Sequence, residues 1–358
     1  MSASRAAENA ERAAQQLKSR LAANAMKRLG LRYVTTDQLT IRRALNGDGY
    51  RFIAASGRTI RDAATRARLK RLAVPPAYHD VRYAADPRAH IQAIGRDAAG
   101  RLQYRYHAEW EKVREQRKAR RLRRLVEALP RIRRAVNKSL ATAEPTRGFA
   151  LAAVIELVSC SAIRPGSESY ARANGTRGAA TLLKSNITVQ GAGITLKFRA
   201  KGGKVVEKQF HCPRVAGAVN VLSTLPGRRL FQYRHENAVR IVTASEVNVF
   251  LREIAGVKIS LKDFRTLCAS AHALEALARV EPAPSERGRR RQVKEAVTAV
   301  SEELANTPTI CRKSYVHQTV VVAFENGKLT RFSELLKRRR SPSHREQLLA
   351  QVVAAMAG

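Results

Sequence analysis

The sequence predicts an α+β fold in two lobes: a small, mainly β N-terminal lobe, and a mainly α lobe carrying a three-stranded antiparallel sheet. Three observations predict it. Short β-prone runs separated by turn residues cluster between residues 31 and 107. Helix-period runs dominate from Glu109 onward. Inside that second region Ile187–Gln190, Thr195–Arg199 and Val205–Phe210 read as strands, joined by the turns Gly191-Ala192-Gly193 and Ala200-Lys201-Gly202-Gly203. The expected divisions are a basic arm over 1–30, the β-rich lobe over 31–107, the helical lobe over 108–332 and a basic tail over 333–358.

The elements follow in order. Residues 1–30 alternate Ala with Arg, Lys and Glu and read as an exposed or loosely helical arm. Leu31–Val34 and Tyr50–Ala54 read as strands, with Asn46-Gly47-Asp48-Gly49 as a turn; a calcium loop there would need acidic ligands that are missing. Thr59–Leu72 has helical spacing, through Ile60, Ala63, Ala64, Leu69 and Leu72, and Val74-Pro75-Pro76 stops it. Val81–Ala84, His90–Gly95 and Leu102–His107 read as strands around a turn at Asp97–Gly100. In the last of these, Gln103, Arg105 and His107 fall on one face and Tyr104 and Tyr106 on the other. Glu109–Leu140 is helical and basic, and Phe149–Ser161 is an apolar helix ended by Ser161-Ala162-Ile163-Arg164-Pro165-Gly166. Ser245–Gly256, Ser260–Val280 and Gln292–Leu304 read as further helices, with Pro282–Arg291 as an exposed loop.

The charge balance narrows the partners. The 358 residues hold 67 Lys and Arg against 29 Asp and Glu, a net charge of +38. Such an excess points to a polyanion: DNA, RNA or an anionic membrane surface. The longest apolar stretch, Phe149–Val158, is broken by Glu156 and too short to span a bilayer, so no membrane partner is expected. The N-terminus has no apolar run of a secretory leader. Cys160, Cys212, Cys268 and Cys311 are scattered without a CxxC pair, which argues against a zinc cluster or a disulfide framework and for a reducing compartment.

The candidate chemistry centres on Asn306–His317, NTPTICRKSYVH, where Arg312 and Lys313 precede Tyr315. A tyrosine hydroxyl, with a pKa of about 10, is a weak nucleophile near neutral pH. Beside fixed cations it can attack a phosphodiester. Arg164 at a helix end, Lys201 at a Gly-flanked hairpin tip, and Lys262 and Arg265 three apart on one helix supply such cations. No HExxH, P-loop or carboxylate cluster suits metal-assisted phosphoryl transfer, so neither metal nor small-molecule cofactor is expected. Each residue also has a plain structural reading: a cap cation for Arg164, a solvated turn for Lys201, a surface ion pair for Arg265 and a half-buried core tyrosine for Tyr315.

Taken in order, Arg164-Pro165-Gly166 with Tyr170, the Lys201 hairpin, Lys262-Asp263-Phe264-Arg265-Thr266 and Asn306-Thr307-Pro308 through Tyr315 resemble the motifs of type IB DNA topoisomerases, in the compact bacterial and poxvirus-like branch. Upstream, Gln92–Asp97 and Gln103–His107 resemble the same family's N-terminal lobe, so the resemblance spans Leu31–Leu329. It implies two lobes that clamp duplex DNA, with the lobe over 108–332 catalytic. Tyr315 would form a 3′-phosphotyrosyl link, Arg164 and Arg265 would hold nonbridging oxygens, and Lys201 would protonate the leaving 5′-oxygen. Asn306, nine residues before Tyr315, stands where poxvirus enzymes carry His and would act as an electrostatic helper. Gln103, Tyr104, Tyr106, Tyr170 and Lys262 would contact DNA. The resemblance further implies a monomer in the cytoplasm, associated with the nucleoid, that relaxes supercoils without ATP. Pro165, Ser167 and Ala200 depart from the family's usual residues at their positions. A tyrosine recombinase shares the phosphotyrosine chemistry, but shows His-x-x-Arg where this chain has Lys262-Asp263-Phe264-Arg265. A DNA-binding clamp without activity would need only the cations.

Overall fold

Strands β1 (Ile41–Asn46) and β2 (Gly49–Ile53) form a hairpin that opens the N-terminal unit. A computed structural model of the chain describes residues 26–47, 49–338 and 342–355. The chain divides into two units, Met1–Arg117 and Lys118–Gly358.

In the first unit the hairpin is followed by helix α1 (Ala63–Arg71), whose N-cap Asp62 accepts from Thr65 N–H, and by strands β3 (His79–Tyr83), β4 (Ile91–Arg96) and β5 (Leu102–Tyr106). These strands make one antiparallel sheet in the order β2-β1-β3-β4-β5. Alternation along β3 buries Val81 and Tyr83 with Ile41, Phe52, Leu69 and Ala93. β1 is absent from the sequence expectations because Arg42 and Arg43 hide its alternation. Arg43 is tied down: its guanidinium donates to the carbonyls of Val74 (3.1 Å), Pro75 (3.1 Å) and Tyr78 (2.5 Å), which pins the proline loop to the sheet. The strand expected over Leu31–Val34 is only an isolated bridge between Arg32 and Ala89. Of the arm read over 1–30, residues 1–25 lie outside the described residues; Met26 is buried with Leu31, Trp110 and Val113.

Helix α2 (Ala108–Leu140) carries the chain into the second unit, where its Leu122, Leu125, Leu129, Ile132 and Val136 are buried. There α3 (Arg147–Ser161) forms the centre of the core, with every residue from Phe149 to Val158 buried. Short α4 (Glu168–Asn174) follows, then strands β6 (Ile187–Gln190), β7 (Gly193–Arg199) and β8 (Val205–His211) in one antiparallel sheet, as the glycine turns predict. Helix α5 (Pro213–Ser223) and the hairpin β9 (Gln232–His235)–β10 (Ala238–Ile241) come next. Helices α6 (Ala244–Ala255) and α7 (Leu261–Ala278) pack on α3. Helix α8 (Glu286–Glu303) begins inside the segment expected to be a loop, because Ser285 accepts from Gly288 N–H and caps it. α9 (Pro308–Ser314) and α10 (Gln318–Glu325) lead to α11 (Thr330–Arg338) and α12 (Pro342–Ala355). The segment read as a basic tail thus folds onto the unit: Leu336, Leu348, Leu349 and Val352 are at most 2% exposed, and α12 packs on α7. Among the described residues no helix is long and apolar enough to cross a membrane.

Candidate active site

Arg164 is aimed by the turn that ends α3. The C-cap Ala162 is left-handed, at φ +51°, and its N–H donates to Val158 O. That conformation costs a non-glycine residue about 1–2 kcal/mol, so the surrounding contacts must hold it. Ala179 N–H donates to Arg164 O (2.8 Å) and Ala180 N–H to Pro165 O (2.9 Å). Gly166 sits at φ +87°, and a Cβ at Gly178 would fall 2.6 Å from Arg164 O, so the turn closes only around glycine. The Arg164 guanidinium then donates to Asn306 Oδ1 at 2.5 Å, while Asn306 Nδ2 donates to Leu304 O at 3.3 Å. Between these lies Ala305, a second left-handed alanine at φ +50°.

Arg265 lies on α7, whose start is fixed by Asp263 accepting from Ser260 N–H (2.8 Å) and Oγ–H (2.9 Å). Although charged, it is 1% exposed. Nη1 donates to Ala162 O, and Nη2 donates to Leu304 O at 3.0 Å. Its guanidinium carbon stands 4.8 Å from the centroid of the Tyr315 ring, and Nε is buried without a partner. Burial pulls its pKa below the usual arginine range, while neighbouring Tyr315 pulls the other way; an arginine stays protonated regardless.

Tyr315 closes α9. Thr307 caps that helix by accepting from Ile310 N–H (3.3 Å), Pro308 fits the first turn, and Tyr315 N–H donates to Cys311 O (2.9 Å). The tyrosine is 8% exposed. Its backbone is clamped from two helices. Ser270 Oγ–H donates to Tyr315 O (3.1 Å) and accepts from His317 N–H (3.0 Å), and Lys118 Nζ donates to Lys313 O (3.3 Å) and Val316 O (3.2 Å). His317 Nδ1 accepts from Thr319 N–H (3.1 Å) to cap α10, leaving Nε2 buried and unpartnered. Burial, reinforced by Lys118 and Arg312, lowers the His317 pKa to about 4.

Lys208, on β8, was not singled out by sequence. Its Nζ donates to Ser161 O (2.5 Å) and Glu303 O (3.2 Å), so it ties the end of α3 to the end of α8, and burial lowers its pKa. Arg164, Lys208 and Arg265 line a cavity of about 20 Å³ in which Glu303 is the one carboxylate, and His272 already engages it. Ser270 was missed as well, and Lys118 reads in sequence only as one cation of the basic helix over Glu109–Leu140. No local pattern marks them, because each acts on a segment far along the chain.

The structure brings together Arg164, Arg265, Asn306 and Tyr315. Lys201 is exposed on the β7–β8 turn, next to cavity-lining Ala200, with Nζ 5.5 Å above the ring of Tyr170. Gly202 and Gly203, at φ +81° and +77°, shape that turn. Lys262 is exposed one turn before buried Arg265, so the two do not share an environment. In the N-terminal unit Tyr104 and Tyr106 stack at 5.9 Å, and Gln103 donates to Asp97 Oδ2 (2.9 Å). Asp97 is held at a pKa of about 2, chiefly by its hydrogen bond from Arg101.

Two outcomes follow from the clamp around Tyr315. Ser270→Ala removes both bonds to the segment and leaves two buried backbone groups unpaired; denaturant unfolding should show a loss of about 1–3 kcal/mol, and an unchanged midpoint would contradict the clamp. His317 titrates at about 4 folded against 6.5 as a free side chain, so the unfolded chain binds its proton more readily. Its stabilisation is complete above pH 6.5 and lost as pH falls towards 4, by up to about 3 kcal/mol. In His317→Asn, which keeps a capping side chain, stability measured across that window should fall less steeply than in the parent.

Comparison with known proteins places this geometry in a family. The family model described as the catalytic core of eukaryotic DNA topoisomerase I matches residues 107–340. The model for the N-terminal domain of bacterial DNA topoisomerase IB matches residues 49–97. A DNA topoisomerase 1B of Acanthamoeba polyphaga mimivirus is 28% identical over 269 residues, which cover 73% of this chain and 80% of that protein. The site residues Arg164, Arg265, Asn306 and Tyr315 all lie inside the matched core, and the chain belongs to the type IB DNA topoisomerases, in their bacterial and poxvirus-like branch, as an isomerase of DNA.

Proposed function

We propose that the protein relaxes supercoiled duplex DNA by transient cleavage of one strand, with Tyr315 as nucleophile and no need for ATP or metal. The observation that carries this reading is the cavity's charge. Arg164, Lys208 and Arg265 meet there with one carboxylate, already engaged, and the Tyr315 ring lies against the Arg265 guanidinium. A phosphodiester laid against these cations would supply the missing negative charge.

In this reading the Tyr315 hydroxyl gives up its proton to solvent as it attacks the scissile phosphorus. The Tyr–O–P bond forms, the bond to the 5′-oxygen breaks, and a 3′-phosphotyrosyl link remains. Arg164 and the unpartnered Nε of Arg265 stabilise the charge that builds on the nonbridging oxygens. This is the role a metal fills elsewhere in phosphoryl transfer. Lys201 gives a proton to the departing 5′-oxygen, because an alkoxide leaves poorly; its hairpin must bring it from Tyr170 to the phosphate. Asn306, bonded to the Arg164 guanidinium, holds that cation in place. Torsion is released while the strand is open. The 5′-hydroxyl then attacks the phosphotyrosine, and the link restores the phosphodiester without an outside energy source.

The same reading makes the chain a monomeric two-lobed clamp on the duplex. The β-rich lobe over 31–107 contributes Gln103, Tyr104 and Tyr106, and the catalytic lobe over 108–332 contributes Tyr170 and Lys262. Phosphate neutralisation by the +38 chain supplies most of the affinity. A cytoplasmic, nucleoid-associated setting follows from the substrate.

The test is relaxation of supercoiled plasmid with EDTA present and no nucleotide. The parent should relax the plasmid, and Tyr315→Phe should bind it without relaxing it. Relaxation by Tyr315→Phe would reassign the nucleophile, and binding without relaxation by the parent would leave only a DNA clamp.

A further inference from the structure

Cys160 and Cys212, far apart in sequence, meet beside the turn that carries Arg164. Cys160 is exposed in the last turn of α3, and Cys212 is buried at the N-cap of α5. Their sulfurs stand 2.9 Å apart, less than about 1 Å beyond the ~2.05 Å of a disulfide bond. Cys212 stands at the N-terminus of an eleven-residue helix and lies next to the Arg214 guanidinium. A helix N-terminus and a neighbouring cation are what stabilise a thiolate. The two thiols share a hydrogen bond, which lowers the Cys212 pKa and raises that of Cys160. The other two cysteines are unlike this pair: burial pushes the Cys268 thiol up to about 12 and the Cys311 thiol up to about 11.

We propose that Cys160 and Cys212 are a redox-modification site, a dithiol that a hydroperoxide oxidises to a disulfide and that a small thiol reduces again. The Cys212 thiolate attacks the peroxide: an S–O bond forms, the O–O bond breaks, and the leaving hydroxide takes a proton to become water or, from an organic peroxide, an alcohol. The Cys160 sulfur then attacks the sulfenic acid. The S–S bond forms, the S–O bond breaks, and the departing hydroxide leaves as water with the Cys160 proton. The dithiol loses two electrons and the peroxide gains them. Disulfides of this kind in reducing compartments are transient and sensory rather than structural.

A metal site is the competing use of the same residues, since Glu156, Cys160 and Cys212 lie close enough together to surround a cation. The carboxylate argues against it. Glu156 Oε1, the oxygen 3.8 Å from each sulfur, already accepts from Arg214 Nε (2.7 Å) and Nη2 (2.5 Å). A cation there would sit against the Arg214 charge.

The pair is also wired to the candidate active site. The residue after Cys160 is Ser161, whose carbonyl holds Lys208, and the next is Ala162, whose carbonyl holds Arg265. Closing the disulfide draws Cys160 towards Cys212 and shifts both carbonyls, so oxidation slows DNA relaxation. This last step rests on the proposed reading of the site; the disulfide itself does not.

The test treats the full chain with hydrogen peroxide, alkylates it after unfolding and maps it by mass spectrometry without reduction. The expected product is a linked peptide pair containing Cys160 and Cys212, lighter by two hydrogens and released by dithiothreitol, with Cys268 and Cys311 still alkylated. Cys212→Ser, which places a favoured capping residue at that position, should lose the link and its peroxide response. In parallel, oxidation should slow plasmid relaxation several-fold in the parent, reversibly, and not in Cys212→Ser. Peroxide-treated protein without the link would overturn the site, as would tight zinc binding by the untreated chain that Cys212→Ser abolishes. A link that forms with no change in relaxation rate would overturn only its coupling to the active site.

Discussion

One buried guanidinium sets the geometry of the second unit's candidate site. Arg265 spends both terminal nitrogens on backbone carbonyls, those of Ala162 after α3 and Leu304 after α8, and lies against the ring of Tyr315. Burying a charge is costly unless it is hydrogen-bonded, so the two helix ends can hardly separate from α7 without stranding it. Both ends are themselves bent, through left-handed Ala162 and Ala305. Strain of about 1–3 kcal/mol at such residues persists only where the surroundings over-determine it. Here the same arginine that fixes the bends is the one proposed to meet the phosphate.

Around it the supporting contacts fall into two sets. Lys208 and Asn306 hold the α3 and α8 ends from the sheet side and from the loop before α9. Ser270 and Lys118 hold the backbone on either side of Tyr315 from α7 and α2. The nucleophile proposed here is therefore not a free tip on a loop. Its main chain is bound at Tyr315, Val316 and His317, which limits the entropy lost when a substrate docks. Lys201 is built in the opposite way, on an exposed turn shaped by two glycines, as suits the proton-donor role proposed for it.

Much of this was legible in the sequence where the signal is local. The sheet β6–β7–β8 and its turns follow from alternation and glycine pairs, and α3 from an apolar run interrupted only at Glu156. The turn at Arg164 follows from Ala-Ile-Arg-Pro-Gly. What was not legible depended on distant partners. β1 was hidden by Arg42 and Arg43, and the latter's charge makes sense only once the carbonyls of Val74, Pro75 and Tyr78 surround it. α8 starts at Glu286 within a stretch whose arginines suggested solvent, because the cap at Ser285 outweighs them. α11 and α12 carry enough basic residues to read as a tail, yet their leucines and valines belong to the core. At the site, Arg164 and Arg265 were candidates by motif alone. Their separation of about a hundred residues gave no hint that Arg265 would support the turn preceding Arg164.

The central claim is that the tyrosine held against Arg265 is the group that attacks DNA. The most direct measurement traps the covalent intermediate on a short duplex whose cleaved strand diffuses away, then maps the DNA-linked peptide by mass spectrometry. The account predicts a single adduct at Tyr315, joined to a DNA 3′-phosphate. An adduct on any other tyrosine, or a protein that relaxes plasmid without forming one, would contradict it.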